Sequence, residues 1–396
     1  MKLAFKWIGI TSITLAMMTG IGWTAIGPDW RALIADPPQN TDLLFWEQGQ
    51  REVIFKMMDK VPWLVKSHLI EPSTLVRELP HGEPLDFDTE MDDFFIEQHL
   101  AGALILHNGK VRYENYALEH SPEKRWTSFS VAKSFTSSLV GIAIKEGYIK
   151  SLNDSISDYI EGMKGSAYDN VTIAQLLTMT SGVQWNEDYD DPQSDVAKFS
   201  THAGNDGLSG IVSYMRKLPR DYPAGEQWQY STGETNLIGV LVSEATGQTL
   251  SHYLTEKIWK PFGMESQASW LLSPDGIEMS GCCIQASLRD FARYGLFVLE
   301  DGKINGTSIL PEGWFAAATR DQIGVTGSNG YGYQWWTFAD GSFTARGIFG
   351  QTIFIDPKRQ LVIAFNGNWP NATEPELNKQ RFEFIDSVRQ IIDQEN

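Results

Sequence analysis

The stretch TSFSVAKSFTSSLVGIAIKEGYI, residues 127–149, decides how the rest of the chain is read. Val131, Phe135, Leu139 and Ile142 recur at spacings of four, four and three, and Gly147 stands near the end, so the pattern predicts an amphipathic helix over residues 130–149. Its start carries Ser130-Val131-Ala132-Lys133. A step of three along a helix leaves two side chains on nearly the same face, which puts the Ser130 hydroxyl and the Lys133 amine together. Serine is a poor nucleophile near neutral pH and needs a base within hydrogen-bond reach. Lys133 can be that base only when neutral. The positive end of a helix and desolvation in an apolar cleft both lower its pKa. A serine at a helix start also offers its backbone N–H to a developing oxyanion. The plainer reading makes Ser130 a helix cap and Lys133 a solvated surface residue. A second Ser-x-x-Lys, Ser121 to Lys124, sits in a charged, proline-containing turn and is read as chance.

Upstream of this helix, AGALILHNGKVRYENYAL from Ala101 reads as two strands joined at Asn108-Gly109, a hairpin dipeptide. Downstream, residues 150–290 are turn-rich, with helices expected at Thr172–Met179 and Asn236–Glu244. Strand signals return in QTIFIDPKRQLVIAFNGNW, where Asp356-Pro357 marks a turn, and an amphipathic helix over Glu376–Ile392 closes the chain behind Pro375. Strands near both ends with helices between them predict an α+β domain whose sheet is completed by the C-terminus. The expected organisation is a main domain over 91–396 with a mainly helical subdomain at about 150–290, preceded by a linker and peripheral helices over 28–90.

The formal net charge of −18 and the absence of any Lys/Arg cluster exclude a nucleic-acid partner. Seven histidines occur without an HxH, HExxH or HxxxH pairing, so no metal site is expected. No GxxxxGK[ST] phosphate loop and no GxSxG elbow is present, and the Gly20-Ile-Gly22 segment that formally matches a dinucleotide fingerprint lies in the leader without a preceding strand. No cofactor is expected. Cys282 and Cys283 are adjacent, a spacing that rarely meets disulfide geometry, and are read as two small core residues. Lys2 and Lys6 precede Trp7–Gly27, a 21-residue segment without a formal charge. That length suits a bilayer core, and no clear Ala-x-Ala site follows, so residues 1–27 are expected to be an uncleaved membrane anchor rather than a signal peptide. The remainder would then be exported, on the periplasmic or cell-surface side.

Four segments appear in order: TSFSVAKSFTSSLVGIAIKEGYI, VTIAQLLTMTSGV, PAGEQWQYSTGETNLIGVLVSEATGQ and ARGIFGQTIFIDP. Together they closely resemble the beta-lactamase-related serine hydrolases, which include penicillin-binding proteins, class C beta-lactamases, esterases of that fold and 6-aminohexanoate-dimer hydrolases. The resemblance covers roughly residues 90–395. It implies a beta-lactamase/transpeptidase-like α+β fold, an antiparallel sheet flanked by helices plus a mainly helical subdomain. It also implies Ser130 as nucleophile, Lys133 as its base and Tyr230 as the tyrosine that relays a proton to the leaving group. Gly347-Ile348 resembles the edge-strand segment lining the acyl site, so that the N–H groups of Ser130 and Ile348 would form the oxyanion hole.

Two departures from the family pattern bear on substrate. The second motif usually reads Tyr/Ser-x-Asn, and here Thr232 takes the third place. Lactam-recognising members carry Lys/His-[Ser/Thr]-Gly as a third motif, and here it is Ala345-Arg346-Gly347, without the hydroxyl. This combination resembles the esterase and amide-hydrolase branch, whose substrate is a small-molecule ester or amide. In the branch resembling nylon-oligomer hydrolases, a loop like GVQWNEDYDDPQSD (182–195) overlies the acyl site, which makes Tyr189 the candidate substrate contact. Glu187, Asp188, Asp190 and Asp191 are read as a solvated acidic loop ahead of a site that attracts a substrate amine, and Trp185 and Trp228 as either pocket walls or packing residues. The rival readings are a D-amino-acid peptidase acting on cell-wall peptides and a catalytically silent peptidoglycan-binding protein.

Overall fold

The computed structural model describes residues 26–39, 42–61, 65–87, 91–204, 206–324 and 329–395. Apart from Ile26 and Gly27, the apolar segment expected to be an anchor lies outside them. No helix among the described residues is long and apolar enough to cross a membrane.

Eight antiparallel strands form the main sheet, in the order Lys110–Tyr116, Leu100–His107, Leu361–Gly367, Thr352–Asp356, Phe343–Arg346, Trp336–Phe338, Asn329–Tyr331 and Ile323–Gly324. The Asn108-Gly109 hairpin forms as expected, with both residues at positive φ. The central pairing joins the N-terminal hairpin to the C-terminal one, Ile105 opposite Ile363 and Leu106 opposite Val362. Leu100–His107 is buried along its whole length, because both faces of the sheet are covered. On one face the C-terminal helix Pro375–Glu395 lays Phe384, Ile385, Val388 and Ile392 against Phe354, Ile363 and Phe365. On the other, helix Leu288–Leu299 crosses the central strands so closely that a Cβ on Gly295 would stand 2.4 Å from Val362.

A second sheet of four strands, in the order Ser67–Ile70, Ala268–Leu271, Ile284–Ala286 and Trp126–Thr127, sits beside the first. It changes two sequence-based expectations. The 28–90 region, expected to be a linker with peripheral helices, supplies a strand of this sheet as well as helices Pro28–Ala35 and Gln48–Phe55. Two short strands of the 150–290 region, which otherwise consists of helices and turns, were not expected either.

Helix Ala132–Lys145, preceded by a 3₁₀ turn over Phe129–Val131, occupies the expected place but is not amphipathic. Every residue from Ala132 to Ala143 is buried. Three of its hydroxyls are satisfied inside the protein: Ser134 donates to the Gln334 carbonyl at 2.8 Å, Thr136 to the Ser280 carbonyl at 2.9 Å, and Ser138 pairs with Tyr294 at 2.8 Å. A helix buried all round is the central post of the domain. The apolar 3.6-residue pattern on one side had concealed that role.

Candidate active site

Ser130 is placed by the small sheet. Strand Trp126–Thr127 ends at Ser128, whose N–H donates to the Ile284 carbonyl at 2.8 Å and whose Oγ accepts from the Ile284 N–H at 2.9 Å. The chain then turns sharply, with Phe129 at φ +42°, a conformation that costs energy for a bulky residue. Ser130 follows, buried in the 3₁₀ turn before the helix. The helix N-cap is Val131, with no side-chain cap, so the Ser130 hydroxyl is not spent on capping.

Lys133 is 1% exposed. Its Nζ donates to Thr232 Oγ1 at 2.9 Å and to the Gly281 carbonyl at 2.6 Å, and lies 5.3 Å from the centre of the Tyr230 ring. Burial lowers its pKa to about 8, and the negative charge of Glu187 works against that shift. The solvated-lysine reading is thereby excluded.

Tyr230 directly precedes Ser231, which caps helix Thr232–Thr246 by accepting from the Glu234 N–H at 3.2 Å. Its ring stacks on Trp336 with centroids 5.8 Å apart and lies near Trp228 and Tyr331. Burial holds the phenol's pKa well above the ordinary range, and the neighbouring Ser130 side chain works against that shift. Tyr230 therefore carries its proton at neutral pH.

Strand Phe343–Arg346 is internal to the main sheet, not an edge strand. Strand Trp336–Phe338 covers it only at Phe343 and Thr344, so Ala345 and Arg346 have a strand partner on one side alone. Gly347 packs against the turn that carries Ser130, where a Cβ would stand 2.6 Å from the Ser128 carbonyl. Phe349, at φ +65°, rests its ring on Phe129 at 5.3 Å. These contacts bring Gly347 and Ile348 to the start of the Ser130 helix. Arg346 turns away among aromatic rings, its guanidinium 4.8 Å from Phe382 and 5.0 Å from Trp336.

The 182–195 loop alternates. Gln184, Asn186, Asp188 and Asp190 are exposed, while Trp185, Glu187 and Tyr189 turn inward. Trp185 is a packing residue against Phe199 and Tyr214. Tyr189 donates to Glu187 Oε1 at 2.6 Å. The other carboxylate oxygen, Oε2, accepts from the Thr232 N–H at 2.9 Å and from Trp185 Nε1, and the Thr232 hydroxyl donates to Oε1. Glu187 is thus not part of a solvated acidic face. Neither it nor Thr232 was among the expected site residues, although Trp185-x-Glu187-x-Tyr189 carries a period of two that marks three side chains on one face.

Cys282 and Cys283 correct another expectation, because they are joined in a disulfide with Cα atoms 3.7 Å apart. Backbone bonds hold this tight turn on both sides. The Cys282 N–H donates to Met279, the Cys282 carbonyl accepts from Trp270 Nε1 at 3.0 Å, and the Cys283 carbonyl accepts from Leu271 at 3.1 Å. Gly281, whose carbonyl holds Lys133, is the residue just before.

Residues 86–385 match the family model described as beta-lactamase. The chain belongs to the beta-lactamase family. It is 28% identical over 285 residues to a 6-aminohexanoate-dimer hydrolase of Paenarthrobacter ureafaciens, a match spanning 68% of this chain and 72% of that protein. A solved structure of a candidate 6-aminohexanoate-dimer hydrolase from Bacillus anthracis superposes with a TM-score of 0.76 at 23% identity, covering 87% of this chain and 94% of that one. Another, of a hydrolase with promiscuous acyltransferase activity, gives 0.58 at 14% identity over 70% and 91% of the two chains. The fold is beta-lactamase/transpeptidase-like, and this member of the family is a serine hydrolase.

Proposed function

We propose that this family member hydrolyses a small-molecule ester or amide through an acyl-enzyme on Ser130. The observation that carries the reading is the fully buried Lys133, one helical turn from Ser130, with its pKa lowered to about 8. Lys133 takes the hydroxyl proton as Ser130 Oγ forms its bond to the carbonyl carbon. The N–H groups of Ser130 and Ile348 receive the oxyanion. Tyr230, protonated and beside Ser130 and Lys133, passes its proton to the leaving alcohol or amine as the bond to carbon breaks, and is reprotonated by the proton that Lys133 took from Ser130. Water then attacks the acyl-enzyme by the same route in reverse. Gly347 lets the segment that carries Ile348 approach the Ser130 turn closely, and Tyr189 lines the site from the loop.

Arg346 supports an ester or amide over a lactam. The third motif lacks a hydroxyl, and the guanidinium lies over the rings of Trp336, Phe338 and Phe382. A missing hydrogen bond to a charged group costs about 1.5–3 kcal/mol, or roughly 10- to 150-fold. The kcat/KM for a p-nitrophenyl short-chain ester is therefore expected to exceed that for nitrocefin by at least this factor. An equal or higher value with nitrocefin would overturn the preference.

For location, the uncharged Trp7–Gly27 segment behind Lys2 and Lys6 supports an anchored, exported enzyme. Full-length protein is expected to need detergent for extraction from membranes, and a chain starting at Pro28 to be soluble without it. A native N-terminus beginning after residue 20 would identify a cleaved signal peptide instead.

A further inference from the structure

Thr232, where relatives with Tyr/Ser-x-Asn carry an amide, poses a problem of hydrogen-bond polarity. A neutral lysine has two N–H groups and one lone pair. The two N–H groups of Lys133 are occupied by Thr232 Oγ1 and the Gly281 carbonyl, which leaves the lone pair for the Ser130 proton. An asparagine carbonyl can only accept from the amine. A threonine hydroxyl can also donate, and if its proton turned toward Lys133 it would occupy that lone pair. Something must hold the Thr232 proton elsewhere.

We propose that Glu187 is a positioning residue for Lys133: its carboxylate draws the Thr232 hydroxyl proton away, so that Thr232 offers Lys133 a lone pair and Lys133 keeps its own for Ser130. This rests on the reading of Ser130 and Lys133 as nucleophile and base. The direction of each bond is fixed by its partners. Glu187 faces four donors: Trp185 Nε1 and the Thr232 N–H on one oxygen, the Tyr189 and Thr232 hydroxyls on the other. The Thr232 hydroxyl, donating to Glu187, can only accept from Lys133. The same carboxylate fastens Tyr189, and so ties the 182–195 loop to the lysine through a single residue. Glu187 and Thr232 together replace the motif asparagine.

Glutamine at 187 tests this sharply. Its amide nitrogen cannot face Trp185 Nε1 and the Thr232 N–H, which are both donors, so it must face the two hydroxyls. The Thr232 proton is then pushed toward Lys133. Glu187→Gln is expected to lower kcat roughly 100-fold, the scale of a misdirected proton transfer, with KM changed less than about threefold. Loss of the negative charge also lowers the Lys133 pKa, so the acid limb of kcat/KM moves to lower pH even as the plateau falls. The other groups around Lys133 are Tyr230 and Tyr189, with Tyr331 and Arg346 beyond Tyr230, and all are retained in the variant. A purely structural role would lower activity without moving that limb. Thr232→Ala should lose activity comparably and Thr232→Ser should keep it. The double variant Glu187→Gln, Thr232→Ala should be no worse than either single one, since both act through one chain of bonds. An unmoved acid limb or additive losses would overturn the proposal. If Glu187→Gln does not fold, Thr232→Ser as inactive as Thr232→Ala would do so. Labelling of wild-type Ser130 by a fluorophosphonate separates these outcomes from failure of the nucleophile assignment itself.

Discussion

Replacing Ser130 by alanine is expected to reduce ester hydrolysis by roughly 10⁴-fold or more, the usual consequence of deleting a covalent nucleophile. The change removes one oxygen from a buried site whose backbone is fixed on both sides, by the Ser128–Ile284 pair and by helix Ala132–Lys145. The fold should therefore persist, with an unfolding midpoint near that of the wild type. Ser121→Ala is the internal control. It alters the other Ser-x-x-Lys, where the hydroxyl donates to Glu123 at 2.8 Å on the surface, and kcat/KM should stay nearly unchanged. Equal loss in the two variants, or loss in neither, would contradict the assignment. Both are read from initial rates with a p-nitrophenyl ester.

Lys133→Met is expected to cost 10²- to 10⁴-fold in kcat/KM, the range for a positioned general base. Methionine keeps the apolar stem and discards the amine, leaving the Gly281 carbonyl without its 2.6 Å donor. That adds a stability loss of about 1–3 kcal/mol, measurable by thermal unfolding. The pH profile distinguishes loss of a base from loss of packing. The reaction needs neutral Lys133, and burial brings its pKa down to about 8. Wild-type kcat/KM should thus fall as pH drops through about 8 and level off above it. In Lys133→Met this limb should vanish and leave a low, flatter profile. Persistence of the same limb would assign the titration to another group.

Much of the fold was legible in the sequence because its signals are local. Asn108-Gly109 and Asp356-Pro357 mark turns between apolar runs, and those runs became the two central hairpins. The Ser130 to Lys133 spacing is equally local, since two residues three apart on one turn meet whatever surrounds them. Long-range pairing was not legible. Ser67–Ile70 looked like linker because its partner, Ala268–Leu271, lies some two hundred residues away in sequence. The full burial of helix Ala132–Lys145 was hidden because serine and threonine imply a wet face, whereas here each hydroxyl with a bond finds it in the interior. The Cys282–Cys283 disulfide is not legible because neighbouring cysteines rarely bridge, and the backbone bonds that hold their turn come from Met279 and Leu271. Glu187 is masked by its neighbours in sequence. It stands beside Asp188 and Asp190, which are exposed, and only the two-residue alternation sets it apart. Thr232 looked like a weakening of the motif because its meaning depends on a carboxylate from a loop 45 residues upstream.

The central claim is a covalent acyl-enzyme on Ser130, and trapping it is the most direct measurement. Wild-type protein quenched in acid during turnover of p-nitrophenyl acetate, then digested and mapped by mass spectrometry, should carry an acetyl group on the peptide containing Ser130 and none on the peptide containing Ser121. The same quench of Lys133→Met should show the adduct only after far longer reaction. An enzyme that turns over the ester while Ser130 stays unmodified, or that carries the acyl group on another residue, would contradict the mechanism.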